Sequence, residues 1–261
     1  MRYYCCGMIR SGSTWQYNIV GELLESRNRG MRSGFTGVGK LAELIDSGDE
    51  VIVKMHEALP AATEDVMAGT GKAIYSHRDL RDVAASLMVR NQKRLDWVIE
   101  NGHLEKAWNN YRKWTSIPGI LIQDYELIIM HPHRAITEIS QFLHLDVMEE
   151  EVKRLALKYS LKNQKEELEK LKGNVVTFNL LRSIRTKVGS LLHSTIGKET
   201  TKKITPFFGR VGTEKIHEKT LLHSDHIHKG EIGSWEEVLT PREKEVIAGY
   251  LTDLRAVNSP E

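Results

Sequence analysis

The stretch Arg2-Tyr3-Tyr4-Cys5-Cys6-Gly7-Met8-Ile9, followed at once by Arg10-Ser11-Gly12-Ser13-Thr14-Trp15, decides the fold. The first eight residues read as a β-strand, RSGST as a turn, and residues 15–26 as a helix. Gly12 lets the backbone turn tightly, so the N–H groups of Ser13 and Thr14 point outward at a helix N-terminus, where anions bind. Counted from Gly7, the spacing matches the nucleotide-phosphate loop G-x-x-x-x-G-K-[ST], with Ser13 in the place of the Lys. The cation that would grip a β/γ-phosphate pair is therefore missing, and Arg10 supplies one from another direction. Such a loop holds a phosphate, but not ATP in the usual way. Read by itself, it is equally an ordinary strand-to-helix turn with Ser/Thr capping.

Working outward, residues 51–55 (VIVKM), 73–75 and 120–123 are further strands. Helical spacing runs over 82–90, 95–114, 135–143 and 149–159. Strands alternating with helices imply parallel strands joined by right-handed crossovers, hence a three-layer α/β/α domain with a central parallel sheet. The whole of 1–261 reads as one domain. From about 160 to 222 the strand pattern stops, and scattered Lys and Arg residues (Arg182, Arg185, Lys187, Lys198, Lys202, Lys203) accompany a charged helix. This is expected to be a helical excursion over the C-terminal edge of the sheet, where such folds bind ligands. A last helix is expected to start at Thr240-Pro241-Arg242-Glu243, which combines a Thr cap, Pro at the first helical position and a Glu three residues on.

Composition narrows the class. The 261 residues carry 37 Lys+Arg against 35 Asp+Glu, a formal net charge of +2 that argues against a nucleic-acid partner bound by massed phosphate neutralisation. Two adjacent cysteines make no disulfide framework, so a reducing compartment is expected. No apolar run approaches the roughly 20 residues of a membrane span, and the first strand begins without a signal peptide ahead of it. A soluble cytoplasmic protein with no membrane partner is the expectation.

Three more segments carry chemistry. Lys54 and His56 lie two apart at a strand end and so share a face, which pairs a base with a cation that favours neutral imidazole. Arg78, Asp82 and Ser86 step down one helix face from the end of another strand. Arg offers a phosphate a bidentate contact and Ser a hydroxyl, whereas Asp82 is better placed to hold the helix start or an Arg. Near the C-terminus, His228-Lys229-Gly230-Glu231-Ile232-Gly233-Ser234-Trp235 offers Lys229 and the Gly230 N–H as phosphate contacts, with His228 only partly charged at neutral pH.

Taken in order, these segments resemble the PAPS-dependent sulfotransferases. R-S-G-S-T-W is similar to that family's 5′-phosphosulfate loop, [KR]-S-G-[ST]-T-W, and V-K-M-H-E-A-L-P to its K-x-H-x-x-x-P segment. The run from Tyr75 to Ser86 is similar to its 3′-phosphate segment, and residues 228–235 to its R-K-G-x-x-G-D-W loop, with His228 in place of Arg and Ser234 in place of Asp. Leu121-Ile-Gln-Asp-Tyr125-Glu126 resembles the strand whose Tyr lies near adenine. The resemblance implies the P-loop-NTPase-like sulfotransferase fold, with the helical excursion over its active site. It also implies transfer of a sulfuryl group from PAPS (3′-phosphoadenosine 5′-phosphosulfate) to a hydroxyl or amine nitrogen of a small-molecule acceptor such as a natural product, with no metal. It gives His56 the role of general base, Lys54 that of neutralising the transferring sulfonate, and Arg10 that of stabilising the bridging oxygen. It implies nucleotide contacts at Arg10, Ser11, Gly12, Ser13, Thr14, Trp15, Arg78, Ser86, Tyr125, His228, Lys229 and Gly230.

Other patterns carry less. Gly34 to Lys40 has phosphate-loop spacing but continues with Leu41 and follows no apolar strand, so it reads as a loop. His77-Arg78-Asp79-Leu80 echoes a protein-kinase catalytic loop but has Ala84 where that loop needs Asn. His223, Asp225, His226 and His228 have no defensible metal spacing. The family's dimer segment is poorly matched at Glu236 and Pro241, so the oligomeric state stays open. The alternatives are a small-molecule kinase of the nucleotide-loop type, against which Ser13 counts, and a non-catalytic nucleotide-binding module, against which Lys54 and His56 count.

Overall fold

In the computed structural model the chain is described over residues 1–169, 220–221 and 230–257. Five strands form one sheet: β1 (Arg2–Gly7), β2 (Met31–Phe35), β3 (Val51–Lys54), β4 (Gly71–His77) and β5 (Leu121–Asp124). Their order is β2-β3-β1-β4-β5, and every neighbouring pair is parallel. Helices make the crossovers: α1 (Ser13–Glu25), α2 (Val38–Asp46), α3 (Pro60–Met67), α4 (Leu80–Asn91), α5 (Leu95–Glu100) and α6 (His103–Thr115). After β5 come α7 (Tyr125–Met130), α8 (Pro132–Phe142), α9 (Glu149–Lys158), a helical stretch over 161–169, α10 (Trp235–Val238) and α11 (Pro241–Val257). The expected three-layer α/β/α architecture with a central parallel sheet is the one observed.

The order of the strands positions the site. From β1 the chain goes out to β2 and returns to β3 on one side, then crosses to β4 and β5 on the other. Strand order therefore reverses at β1, and a crevice opens beyond the C-terminal ends of β1 and β4, where ligands of open α/β sheets bind. All six residues of β1 are buried, because both faces of the sheet are covered. Tyr3 and Cys5 pack with Tyr17, Ile19, Ile136, Ile139 and Leu155 beneath α1, α8 and α9. Tyr4 and Cys6 pack on the other face with Val83, Leu87, Trp114 and Ile247. The adjacent cysteines thus serve as apolar side chains of two different layers, and burial pushes the Cys5 thiol up to about 12.

A buried polar knot fixes the other end of β1. Arg2 donates to both carboxylate oxygens of Asp65 in α3, and the hydroxyls of Tyr4 and Thr70 donate to the same carboxylate at 2.7 and 2.6 Å. Gly71 makes room for it, since a Cβ there would stand 2.6 Å from Asp65 Oδ2.

Three expectations are corrected. Residues 31–46 are an edge strand and a helix, where the Gly34-to-Lys40 segment was expected to be a loop with no strand before it. β3 supplies the hydrogen-bonding template for β2, whose own Met-Arg-Ser-Gly-Phe sequence lacks alternation; the ladder slips between Arg32 and Gly34. The single helix expected over 95–114 is two, because Gly102 adopts a left-handed φ of 64° and caps α6. The first strand stops at Gly7, not residue 9. The expected start of the last helix holds: Glu243 accepts from the Thr240 N–H at 2.9 Å, and the Glu243 N–H donates back to Thr240 Oγ1 at 3.3 Å. Most of the excursion expected over 160–222, with its basic residues from Arg182 to Lys203, lies outside the described residues. So do His223, Asp225, His226, His228 and Lys229. Among the described residues no helix is long and apolar enough to cross a membrane.

Candidate active site

Beyond the ends of β1 and β4 lies an open cleft. Its floor is the turn between β1 and α1. Gly7 is required there by contact: a Cβ would meet Ser76 Oγ at 2.2 Å and Ser13 Cβ at 2.8 Å. The Ser11 hydroxyl, wholly buried, lies 2.7 Å from the Met8 carbonyl oxygen and 3.0 Å from that of Ser76, so it ties the turn to β4. Gly12 begins α1 with a left-handed φ of 86°, which an L side chain rarely adopts. The first turn of α1 then presents Ser13, Thr14 and Trp15 along the cleft. Arg10 is itself left-handed, with φ 67°, and its Nε donates to Ser86 Oγ at 2.9 Å. Two residues assigned to opposite ends of one ligand are therefore already linked to each other.

The strand ends supply the remaining polar groups. His56, just past β3, lines the cleft, and its Nδ1 stands 2.7 Å from the Gly7 carbonyl oxygen. A carbonyl only accepts, so Nδ1 carries the proton and Nε2 holds the lone pair of the neutral ring. Lys54 does not line the cleft. It is 2% exposed, with Nζ 3.4 Å from the Met55 carbonyl oxygen and 5.9 Å from the centre of the Phe35 ring. That ring also lies 5.7 Å from the His56 ring, so Phe35 adjoins both residues. Burial pushes the Lys54 ammonium down to about 8.

Arg78 follows β4 at 8% exposure. One terminal nitrogen of its guanidinium donates to the Glu231 carbonyl oxygen and lies 3.3 Å from Asp82 Oδ2, and the group sits 4.2 Å above the centre of the Tyr125 ring. Its Nε is buried and, among the described residues, has no hydrogen-bond partner. Asp82 holds an Arg, as expected, while the helix start is capped by Asp79, which accepts from the Arg81 N–H at 2.8 Å. Tyr125 donates to the Gly230 carbonyl oxygen at 2.9 Å. Gly230, at φ 71°, sits so close to Leu161 that a Cβ would approach it to 2.6 Å. His56, Arg10 to Trp15, Arg78, Ser86, Tyr125 and Gly230 therefore converge on one cleft.

The family model of the sulfotransferase domain matches residues 4–219. The chain belongs to the sulfotransferase family. Among solved structures it is similar to a mouse sulfotransferase, SULT7A1, complexed with PAP, with TM-score 0.62, 14% identity, and coverage of 100% of this chain and 86% of that one. It is also similar to retinol dehydratase in complex with androsterone and the inactive cofactor PAP, with TM-score 0.61, 16% identity, and coverage of 97% and 80%. At these identities the likeness is one of fold. No curated protein sequence matches the chain.

This sulfotransferase domain also lines its cleft with residues that the motif reading missed: Ile9, Val89, Arg90, Ile128, Tyr159 and Gln164 among them. Arg90 was within reach of sequence reasoning. It stands one helical turn beyond Ser86 and continues the four-residue step from Arg78 through Asp82. Tyr159 and Gln164 carry no such signal, because Tyr159 follows a helix read only as amphipathic and Gln164 lies in one read only as charged. No Asp or Glu lines the cleft among the described residues, whereas Arg10, Arg78 and Arg90 do. The arrangement suits a ligand with several negative charges. No group of three potential metal-ligating side chains occurs among the described residues.

Proposed function

We propose that the chain transfers a sulfuryl group from PAPS to a hydroxyl or amine nitrogen of a small-molecule acceptor, such as a natural product. The observation that carries this reading is the buried Nε of Arg78, which has no partner among the described residues and belongs to a side chain on the wall of a cleft whose described walls carry no acid. A buried donor of that kind is costly unless an acceptor meets it, and a nucleotide phosphate would do so. The Gly12 turn and the first turn of α1 suit a second anionic group. Bound PAPS would supply a phosphosulfate whose sulfuryl group passes in line to the acceptor.

In this scheme His56 takes the acceptor's proton at Nε2 while its Nδ1–H, held by the Gly7 carbonyl, fixes the ring. Arg10 stabilises charge on the bridging oxygen as the leaving group departs, and Ser86 steadies its guanidinium. Lys54, whose ammonium remains mostly protonated at pH 7, acts from behind Phe35 as a fixed positive charge toward the sulfonate. Arg78, Tyr125 and Gly230 hold the nucleotide end, together with Lys229 and His228 from outside the described residues.

Calorimetric titration with PAP (3′-phosphoadenosine 5′-phosphate), AMP and ATP with Mg²⁺ tests the reading. Tight binding of PAP that weakens for AMP, which lacks the 3′-phosphate, is expected. A preference for ATP with Mg²⁺ would overturn it in favour of a kinase.

A further inference from the structure

Asp82 is 2% exposed and does not line the cleft, yet its carboxylate gathers several polar contacts. Its Oδ2 accepts from the Gly233 N–H at 2.9 Å. Its Oδ1 accepts from the Ser234 hydroxyl and from the Trp235 N–H, both at 3.1 Å. The same carboxylate pairs with Arg78 at 3.3 Å. All three donors belong to one short segment, and that segment is held again on either side. Tyr125 grips the Gly230 carbonyl at 2.9 Å, Arg78 grips that of Glu231, and the Arg81 guanidinium lies 4.2 Å above the centre of the Trp235 ring.

The segment's own backbone needs this help. Gly230 and Gly233 both sit at left-handed φ, 71° and 72°, and the helix that follows, α10, is only four residues long. A carboxylate answering three successive donors is a strong anchor there, since charge-assisted hydrogen bonds are roughly twice as strong as neutral ones. Gly230 and Ser234 both line the cleft, as does Arg78. One buried acid therefore connects the orientation of the cleft's guanidinium to the placement of the segment beside it.

We propose that Asp82 is a positioning residue that latches residues 230–235 against Arg78 and so builds the subsite for the nucleotide's 3′-phosphate. The proposal rests on the PAPS reading above.

Asp82→Asn keeps the shape of the side chain but replaces one acceptor oxygen with an NH₂ group, which in either orientation of the amide faces a backbone N–H, that of Gly233 or that of Trp235. PAP affinity is then expected to fall by at least about tenfold, with AMP affinity changing by less than about threefold. Ser234→Ala, which removes one of the three donors of the latch, gives a smaller loss in the same direction. Arg78→Met removes the guanidinium that Asp82 orients, so adding Asp82→Asn to it should cost little more; that non-additivity is something a merely structural carboxylate would not produce. Thermal unfolding of each variant checks that the fold is retained. Equal losses for PAP and AMP, or full additivity with Arg78→Met, overturn the latch while leaving the PAPS reading in place. A parent chain that binds PAP no better than AMP overturns that reading and the latch with it.

Discussion

At the scale of single residues, Lys54 sets function against stability. Its ammonium is buried and its pKa lowered to about 8, so the folded chain binds that proton less readily than the unfolded chain does. Between pH 8 and the ordinary lysine value the unfolded state holds more protons, and stability rises with pH there; below pH 8 the cost is present in full. Lys54→Met should therefore stabilise the protein at pH 7 by up to about 3 kcal/mol and abolish most transfer. Cys5 and Cys6, whose thiols burial pushes up, act in the opposite sense above pH 9. The measurement is thus the difference between variant and parent in urea midpoints from pH 7 to 10, and a difference that does not shrink as pH rises contradicts the assignment. His56 poses the complementary case. His56→Ala should leave PAP binding within a few-fold and lower transfer by ~10²–10⁴-fold; unchanged transfer would show that another group takes the proton.

At the scale of elements, the Arg2–Asp65 knot joins the start of β1 to α3 and carries more weight than its surface neighbours. Asp65→Ala would leave a buried guanidinium without its partner and should cost about 3–5 kcal/mol, read from urea denaturation. Because Arg2 and its neighbours hold the Asp65 carboxyl below its usual range, the stability it provides is present above that range and lost as the pH falls through it. What the sequence made legible also sorts by element. β1, β3 and β4 announce themselves by apolar runs such as Val51 to Val53, since central parallel strands are buried on both faces. β2 does not, because an edge strand such as Met31 to Phe35 takes its ladder from β3 and needs no pattern of its own. Within the site, the residues of the Gly12 turn were legible, since turn chemistry is local; strand parity misplaced Lys54, because β3 ends there and His56, beyond the strand, lines the cleft while Lys54 stays buried. Tyr159, Leu161 and Gln164 were not legible, for they come to the cleft from elements remote in sequence, as where the Tyr159 hydroxyl donates to Glu22 of α1 at 3.0 Å. Gly102 splits α5 from α6 through a φ that spacing alone does not reveal.

At the scale of the whole molecule, a net charge of +2 conceals a strongly uneven distribution. The cleft has three arginines and no acid on its described walls, while many surface charges elsewhere are paired, as around Glu22 with Arg154 and Lys158. Attraction of a polyanionic nucleotide should therefore be felt beyond contact range and depend on salt. Raising ionic strength from 0.01 to 1 M shortens the screening length from about 30 Å to about 3 Å, and PAP affinity should drop at least about tenfold while that of adenosine hardly changes. Equal salt dependence for both would place the charge effect outside the cleft. The same unevenness has a counterpart at the flank of the sheet. Among the described residues β2 leaves one side of its backbone without a neighbouring strand, but its ladder slips at Gly34, and Arg32 is drawn inward to Asn18, Glu22 and Glu25. A foreign chain seeking to extend the sheet meets an irregular register and a buried charge. The flank that was hardest to read in the sequence is thus the one guarded against edge-to-edge fibril growth.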